Sequence, residues 1–209
     1  MTKSLLVECL GTFFLVLVIG LTVIAPGAGA IAPLAIGSIL MVMVYAGGHV
    51  SGAHYNPAVT LAVWLRGKCE ASGAAAYAAA QIAGGGLAAL LVKFLKQGSS
   101  AEVMRPEPGP AFLAELAFTF ALAFVVLNVA TSKKTAGNSY FGLAIGMTVM
   151  AGAYAVGNIS GGVFNPAVAV GLTVMGLSAP GNLWLYLAAN LAGGALAALA
   201  FRTVSGEPK

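Results

Sequence analysis

The chain has 209 residues, of which 59% are hydrophobic and only 8% are charged, with ten basic and six acidic side chains. A soluble domain carries about 25% charged residues because its surface faces water. The composition therefore excludes a cytosolic enzyme, a nucleic-acid-binding protein and a disordered chain, and it indicates an integral, multi-pass membrane protein surrounded by lipid.

Six apolar stretches are long enough to cross the bilayer as helices, which takes about 20 residues each. They cover residues 4–25, 32–50, 71–95, 110–131, 138–157 and 182–203. Two further apolar pieces, at 56–65 and 165–175, reach only about 15 Å as helix, which is half a bilayer. We therefore expect an all-α membrane protein with six transmembrane helices and two pieces that are too short to span.

An internal repeat relates the two halves of the chain. Residues 45–63 align without gaps to 154–172 at an offset of 109 residues, and nine of the 19 positions are identical. The same offset pairs 80–94 with 189–203, where eight of 15 positions agree. One offset shared by two separate segments indicates a duplicated unit.

The repeat predicts a single domain over residues 1–209, with halves of about 1–105 and 106–209. Because each half has three spans, the second half must insert upside down relative to the first. Inverted repeats of this kind are typical of transport proteins, with the solute path near the middle of the bilayer.

Basic residues at the ends of the spans predict the orientation. If the N-terminus is cytoplasmic, seven lie inside: Lys3, Arg66, Lys68, Lys133, Lys134, Arg202 and Lys209. Three lie outside: Lys93, Lys96 and Arg105. The positive-inside rule therefore places both termini in the cytoplasm, and we expect the inner (plasma) membrane of a prokaryotic cell.

Each short apolar piece opens with the same triplet. The two copies are Asn56-Pro57-Ala58 and Asn165-Pro166-Ala167. Asparagine is a favoured helix N-cap and proline a favoured first helical residue, so each triplet begins a helix. A single triplet could simply cap an ordinary helix. Two of them in inverted repeats predict re-entrant half-helices that enter from opposite faces and meet near the middle of the bilayer.

Two facing helix N-termini place partial positive charge in mid-pore, which repels cations and protons. We expect the side-chain amides of Asn56 and Asn165 to donate hydrogen bonds to passing oxygen atoms. The glycine-containing stretches 51–55 and 160–164 are expected as extended loops whose carbonyls line the pore. The predicted carbonyls belong to Gly52, Ala53, His54, Tyr55, Gly161, Val163 and Phe164.

These features resemble the aquaporin and aquaglyceroporin family of major intrinsic proteins over essentially the whole chain. The segment SGAHYNPAVT, residues 51–60, resembles the first signature of that family nearly letter for letter. The resemblance implies an aquaporin-like fold of six tilted helices and two half-helices, and a homotetramer with one pore per subunit. It also implies that His54 contributes its backbone carbonyl to the pore.

Two acids, Glu8 and Glu115, lie inside the first and fourth spans at corresponding places of the two halves. A charge inside a span is costly unless it has partners. The resemblance implies that these carboxylates accept hydrogen bonds from the re-entrant loops, and a proton-coupling role is the alternative. No histidine or cysteine pattern indicates a metal site, and we expect no metal and no cofactor.

The chain departs from the water-selective members of the family at the outer filter. The resemblance places the four filter positions at Ile36, Ala153, Gly162 and Val168. Water-selective members have an arginine at the place of Val168, and usually an aromatic residue and a histidine at the first two positions. Without them the collar loses a fixed charge and strong donors, and it widens. Arg105 in the outer loop could replace the charge, although the loop's prolines and acids indicate a solvated segment.

We predict a passive channel for small neutral solutes, such as glycerol, urea or neutral metalloid hydroxides, and for water, that excludes ions. A channel mainly for water and a secondary transporter are the alternatives. A transporter normally carries coupling-ion ligands or acid–base pairs in its spans. The chain shows no nucleophile with a base that indicates an enzyme, and no basic cluster that indicates nucleic acid.

Overall fold

A computed structural model describes residues 1–99 and 102–207, and within them the chain forms eight α-helices and no strand. The helices are α1 (Thr2–Val23), α2 (Ala32–Ser51), α3 (Pro57–Leu65), α4 (Ala71–Leu95), α5 (Pro108–Val126), α6 (Phe141–Ser160), α7 (Pro166–Met175) and α8 (Leu183–Ser205). Six of them are long and apolar enough to cross a membrane, and α3 and α7 are short. The predicted count of six spans is confirmed.

Both ends of α6 differ from the predicted bounds, since the helix begins at Phe141 and not at 138. The side-chain amide of Asn138 donates to the carbonyls of Val129 and Thr135, both at 2.7 Å, and so closes the turn before the helix. The helix then runs on to Ser160, where Gly161 ends it in the left-handed conformation at φ 94°. Polar turn chemistry, and not hydropathy, sets both ends of this span.

Adjacent long helices cross at glycines that have equivalent places in the two halves. On α4, a side chain at Gly84 would overlap the backbone carbonyl of Cys9 in α1. On α8, a Cβ at Gly193 would lie 2.6 Å from the carbonyl oxygen of Leu116 in α5. Small residues let membrane helices approach at backbone distance, which explains why the repeat carries glycine at both places.

The glycine that follows each of these two packs directly against the short helix of the opposite half. A Cβ at Gly85 would lie 2.9 Å from the carbonyl oxygen of Ala167 in α7, and one at Gly194 would overlap the carbonyl of Ala58 in α3. Both alanines belong to the Asn-Pro-Ala triplets and are fully buried. The two glycine pairs therefore lock the halves together around the starts of α3 and α7.

We expect Gly193→Ala to destabilise the protein, because its new methyl meets backbone atoms that cannot rotate away. Overpacking of this kind costs about 1–3 kcal/mol, which exceeds the gain of about 1 kcal/mol in helix propensity. The matched control is Gly86→Ala, since a Cβ there has open space and the second half carries Ala195 at the equivalent place. Thermal melting in detergent should fall for Gly193→Ala and stay level or rise for Gly86→Ala. Equal melting of the two variants would contradict this packing.

The basic residues separate between the two ends of the bundle. At one end, called the inner end, the Arg202 guanidinium donates to the Leu65 carbonyl, and Lys134 Nζ lies 3.0 Å from the Ser205 carbonyl. At the other, called the outer end, Lys96 Nζ donates to the Ile24 carbonyl at 2.9 Å. Of the cations used to predict orientation, Lys209 lies outside the described residues.

A carboxylate brace closes the inner end. Glu207 forms an ion pair with Arg66 at 2.7 Å and accepts a hydrogen bond from the Ser132 hydroxyl at 2.6 Å. Arg66 follows α3, is only 1% exposed, and also stacks its guanidinium over the Phe201 ring at 4.9 Å. One acid thus joins the segment after α8, the loop after α5 and the loop after α3.

The bonds of Glu207 predict that the stability of the protein depends on pH. The Ser132 hydroxyl, the Lys133 N–H and the Arg66 charge lower the pKa of Glu207 below its ordinary value of 4.5. A lowered folded-state pKa stabilises the protein above the ordinary pKa, and that stabilisation is lost as the pH falls through the lowered value. We expect Glu207→Gln to lower the melting temperature at neutral pH. The difference from the parent should shrink as the pH falls below the ordinary pKa and vanish once the pH is below the lowered one. Glu70→Gln, an exposed acid at the same end, is the control, and a deficit that does not depend on pH would contradict the assignment.

Candidate functional site

The two short helices begin on asparagine caps. Asn56 is extended, with φ −156°, and its side-chain Oδ1 accepts from the N–H groups of Ala58 at 2.8 Å and Val59 at 3.4 Å. Asn165 makes the same pair of bonds in α7, with φ −157°. Proline follows each cap, where its missing N–H costs nothing. The local sequence alone is sufficient to start both helices at these points.

The caps also bind across the two halves. Asn56 Nδ2 donates to the Phe164 carbonyl at 2.8 Å, and Asn165 Nδ2 donates to the Tyr55 carbonyl at 2.9 Å. These reciprocal bonds bring the N-termini of α3 and α7 together inside the bundle. Each amide therefore uses one N–H on the protein, and its second N–H has no partner among the residues that the structure describes.

The loops before the caps need left-handed backbone. After the C-cap glycines, φ is positive at Ala53 (51°), Tyr55 (49°) and Phe164 (49°), and at Gly162 (64°). Residues other than glycine rarely adopt the left-handed backbone region, so hydrogen bonds from outside the loop must hold this conformation. The groups that hold it are the two buried acids.

Glu8 gathers four donors. Its Oε1 accepts from the Ser51 hydroxyl at 2.7 Å and from the His54 N–H at 3.0 Å. Its Oε2 accepts from the Tyr55 N–H at 2.7 Å and from the Gln81 amide at 2.8 Å. Glu8 is fully buried, so these bonds replace the water that a carboxylate otherwise requires.

Glu115 repeats the arrangement in the second half with three donors. Its Oε1 accepts from the Ser160 hydroxyl at 2.6 Å and from the Val163 N–H at 2.8 Å, and its Oε2 accepts from the Phe164 N–H at 2.7 Å. Both acids therefore hold the loops directly, in the arrangement that the resemblance implied. Protein donors thus make four hydrogen bonds to Glu8 and three to Glu115.

Sequence reasoning missed several residues that brace these loops. Tyr77 and Tyr186 donate their hydroxyls to the carbonyls of Ser51 and Ser160, at 2.9 and 2.8 Å. The offset of 109 residues relates the two tyrosines and was the signal that could have found them. Gln81 had no such signal, because its equivalent is Asn190, whose side-chain oxygen accepts from Thr119 instead.

A cavity of about 780 Å³ extends from the outer end to the meeting point of the short helices. Its wall includes the four filter positions and both asparagines: Ile36, Ala153, Gly162, Val168, Asn56 and Asn165. It also includes five residues of the loops: His54, Tyr55, Gly161, Val163 and Phe164.

A second cavity of about 380 Å³ lies on the inner side and is lined by Gly52, Lys68 and Thr131 among others. The two cavities share His54 and Val126 in their walls, so these two residues lie where the cavities approach each other. Ala53 lines neither cavity. Pro57, Ala58, Pro166 and Ala167 also lie outside the two walls and are buried between the helices.

The collar at the four filter positions carries no charge. Val168 is 3% exposed in the first turn of α7, and Ile36 is 9% exposed on α2. Gly162 lies against Ala153, since a Cβ on the glycine would be 3.2 Å from the alanine Cα. The side chains of the collar itself are therefore small or aliphatic, and the wall has its polar side chains elsewhere, among them those of the two asparagines.

Comparison with known proteins agrees with this geometry. Residues 1–201 match the family model described as major intrinsic protein. Aquaporin NIP1-4 of Oryza sativa subsp. japonica is 37% identical over 211 residues, covering 97% of this chain and 77% of that protein. The glycerol uptake facilitator protein-like 6 of Lactiplantibacillus plantarum is also 37% identical, over 98% of this chain and 99% of its own length.

A solved structure of an aquaglyceroporin has the same fold as this chain. The X-ray structure of the aquaglyceroporin from Plasmodium falciparum superposes with a TM-score of 0.81 at 20% identity, covering 97% of this chain and 96% of that one. That identity supports the fold alone, whereas the family match and the two relatives cover nearly the whole sequence. The chain belongs to the major intrinsic protein family and is a passive membrane channel for water and small solutes, not an enzyme.

Proposed function

We propose that the channel conducts neutral solutes larger than water, of the size and polarity of glycerol, urea or neutral metalloid hydroxides, together with water, and that it excludes ions. The observation that carries the proposal is the collar of Ile36, Ala153, Gly162 and Val168, which has small or aliphatic side chains and no cation. Such side chains leave more room than an aromatic residue, a histidine and an arginine would, and they leave hydrogen bonding to other groups of the wall, which serve hydroxyl-bearing solutes as well as water.

Exclusion of protons and cations is assigned to the two facing helix ends. The reciprocal bonds of the two asparagines hold the N-termini of α3 and α7 together, and each N-terminus contributes partial positive charge there. Reconstituted vesicles should therefore show no proton flux above that of empty vesicles. A clear proton leak would contradict this part of the proposal.

A water-preferring channel and a secondary transporter are the competing functions. The relative from Lactiplantibacillus plantarum is described as a glycerol uptake facilitator, which favours the wider pore. The hydrogen bonds of the two buried acids argue against a transporter. Seven donors of the protein bind the carboxylate oxygens of Glu8 and Glu115, so these acids are poorly placed to bind a coupling ion. The role of both acids is to position the loops.

The deciding experiment is stopped-flow light scattering on proteoliposomes with water, glycerol and urea gradients. We expect glycerol and urea permeabilities well above those of empty vesicles, with a weak temperature dependence and no saturation. Water flux alone would make the channel water-selective, and saturable uptake driven by an ion gradient would make it a transporter.

We further propose the inner membrane of a prokaryotic cell, with both termini cytoplasmic, and a homotetramer with one pore per subunit. Support for the orientation comes from the basic residues of the inner end, and support for the tetramer from the family. Labelling of cysteines placed at Lys3 and Lys93 from each side of the membrane tests orientation. Native mass spectrometry of the detergent-solubilised protein tests the assembly, and a mass of one subunit would contradict the tetramer.

A further inference from the structure

The outer loop contributes a segment to the pore wall. Residues Glu102, Val103, Met104 and Arg105, here called the outer strap, all line the larger cavity. The strap lies in the chain between α4 and α5, so it belongs to neither of the two short helices. Its presence in the wall means that the loop helps to shape the outer mouth.

Contacts to the second half hold the strap in place. The Met104 N–H donates to the Leu177 carbonyl at 2.9 Å, and Met104 pairs with Ser178 in an isolated parallel bridge. Its sulfur lies over Gly161, where an added Cβ would be 2.6 Å from it. Gly161 directly precedes the filter position Gly162, so the strap is anchored one residue away from the collar.

The strap supplies the charge at the mouth. Among the described residues, Glu102 and Arg105 are the only formally charged side chains in the wall of the larger cavity. Arg105 is next to the anchored Met104, is exposed, and makes no hydrogen bond or ion pair with any residue that the structure describes. Its five N–H donors are therefore not used by those residues, and Arg105 itself lines the cavity, while Val168 leaves the collar without a charge.

We propose that Arg105 provides the fixed cation of this channel's outer mouth and acts as a specificity-determining residue. A guanidinium there raises the potential along the approach to the collar, disfavours cations, and offers donors to the oxygen atoms of neutral solutes. Glu102 offsets part of this potential. The solute class rests on the function proposed above, but the electrostatic role does not.

The test measures the potential at the collar with a reporter cysteine. In a Cys9→Ser, Cys69→Ser background, Val168→Cys is modified from outside with anionic sulfonatoethyl and cationic trimethylammonioethyl methanethiosulfonates. We expect Arg105→Gln to lower the ratio of anionic to cationic modification rates about tenfold, or about 1.4 kcal/mol between the two reagents. Arg105→Lys should keep most of the ratio. An unchanged ratio in Arg105→Gln overturns the proposal.

The controls separate this outcome from others. Lys93→Gln removes an equal charge from the same end at an exposed position outside the cavity wall and should leave the ratio unchanged. If Val168→Cys fails to fold, Ala153→Cys reports from the same collar. Glycerol flux is measured separately. Its absence together with a lowered ratio refutes the proposed solute class only, whereas normal flux with an unchanged ratio refutes the role of Arg105 only.

Discussion

Replacing Glu8 with alanine is expected to abolish the folded channel. The change leaves four donors without an acceptor, two of them backbone N–H groups of the first loop and two of them the side chains of Ser51 and Gln81. A buried unpaired donor costs about 1–3 kcal/mol, and the sum approaches the whole stability of a typical domain of about 5–15 kcal/mol. Monodisperse yield in detergent and water flux in proteoliposomes are the measurements.

A graded series strengthens this prediction. Glu115→Ala orphans three donors and should be less damaging than Glu8→Ala. Glu8→Gln keeps one acceptor oxygen but turns an NH₂ group toward donors, so its effect should be intermediate. Glu107→Gln changes an exposed acid at the outer end and serves as the control. Melting of Glu8→Ala at the temperature of the parent would refute the view that Glu8 holds the loop.

The same series tests the proton-coupling alternative for the buried acids. If Glu8 only positions the loop, any folded Glu8→Gln protein should conduct with the same dependence on external pH as the parent. A coupling acid would make solute flux follow the proton gradient, and its amide variant would lose that dependence. Flux assays at two external pH values separate the two roles.

The features that the sequence predicted are those controlled by local chemistry. An Asn-Pro pair caps and starts a helix wherever it occurs, so the beginnings of α3 and α7 could be read directly at residues 57 and 166. The six spans follow from hydropathy, and the offset of 109 residues relates the two halves, whose inverted insertion stays a prediction. None of these conclusions requires knowledge of the tertiary contacts between residues.

The features that it did not predict depend on contacts between the halves. That each asparagine amide donates to the opposite loop, to Phe164 or Tyr55, follows only once the two helix ends meet. The sequence view assigned both amides to the solute, whereas the structure commits one N–H of each to the protein. The anchoring of Met104 over Gly161 is likewise invisible to periodicity, because the strap has no repeat equivalent in the first half.

The two halves also differ where the repeat is imperfect. In the first half, Gln81 reaches Glu8 and the Thr60 hydroxyl, and Thr60 in turn meets His54 Nδ1 at 3.1 Å. The shorter Asn190 bonds to Thr119 and leaves Glu115 with fewer donors. Among the described residues, only in the first half is the acid linked to the long helix behind it, and the first loop is therefore the more strongly braced.

Replacing Val168 with arginine is expected to change selectivity more than any other single substitution. The side chain lines the outer cavity from the first turn of α7, so an arginine there fills the collar and adds a charge and five donors. The narrower collar hinders glycerol more than water, because glycerol is the larger molecule. We expect glycerol permeability to fall about tenfold or more and water permeability to fall about threefold or less.

Val168→Met separates bulk from charge, because methionine has a similar reach and no charge. It should lower glycerol flux moderately and leave the ratio of modification rates at the Ala153→Cys reporter unchanged, whereas Val168→Arg should also make Arg105 dispensable. Adding Arg105→Gln should therefore have little effect on cation exclusion in the V168R background, and a measurable effect in the parent. Equal loss of water and glycerol flux in V168R would show that this position limits passage without selecting among solutes.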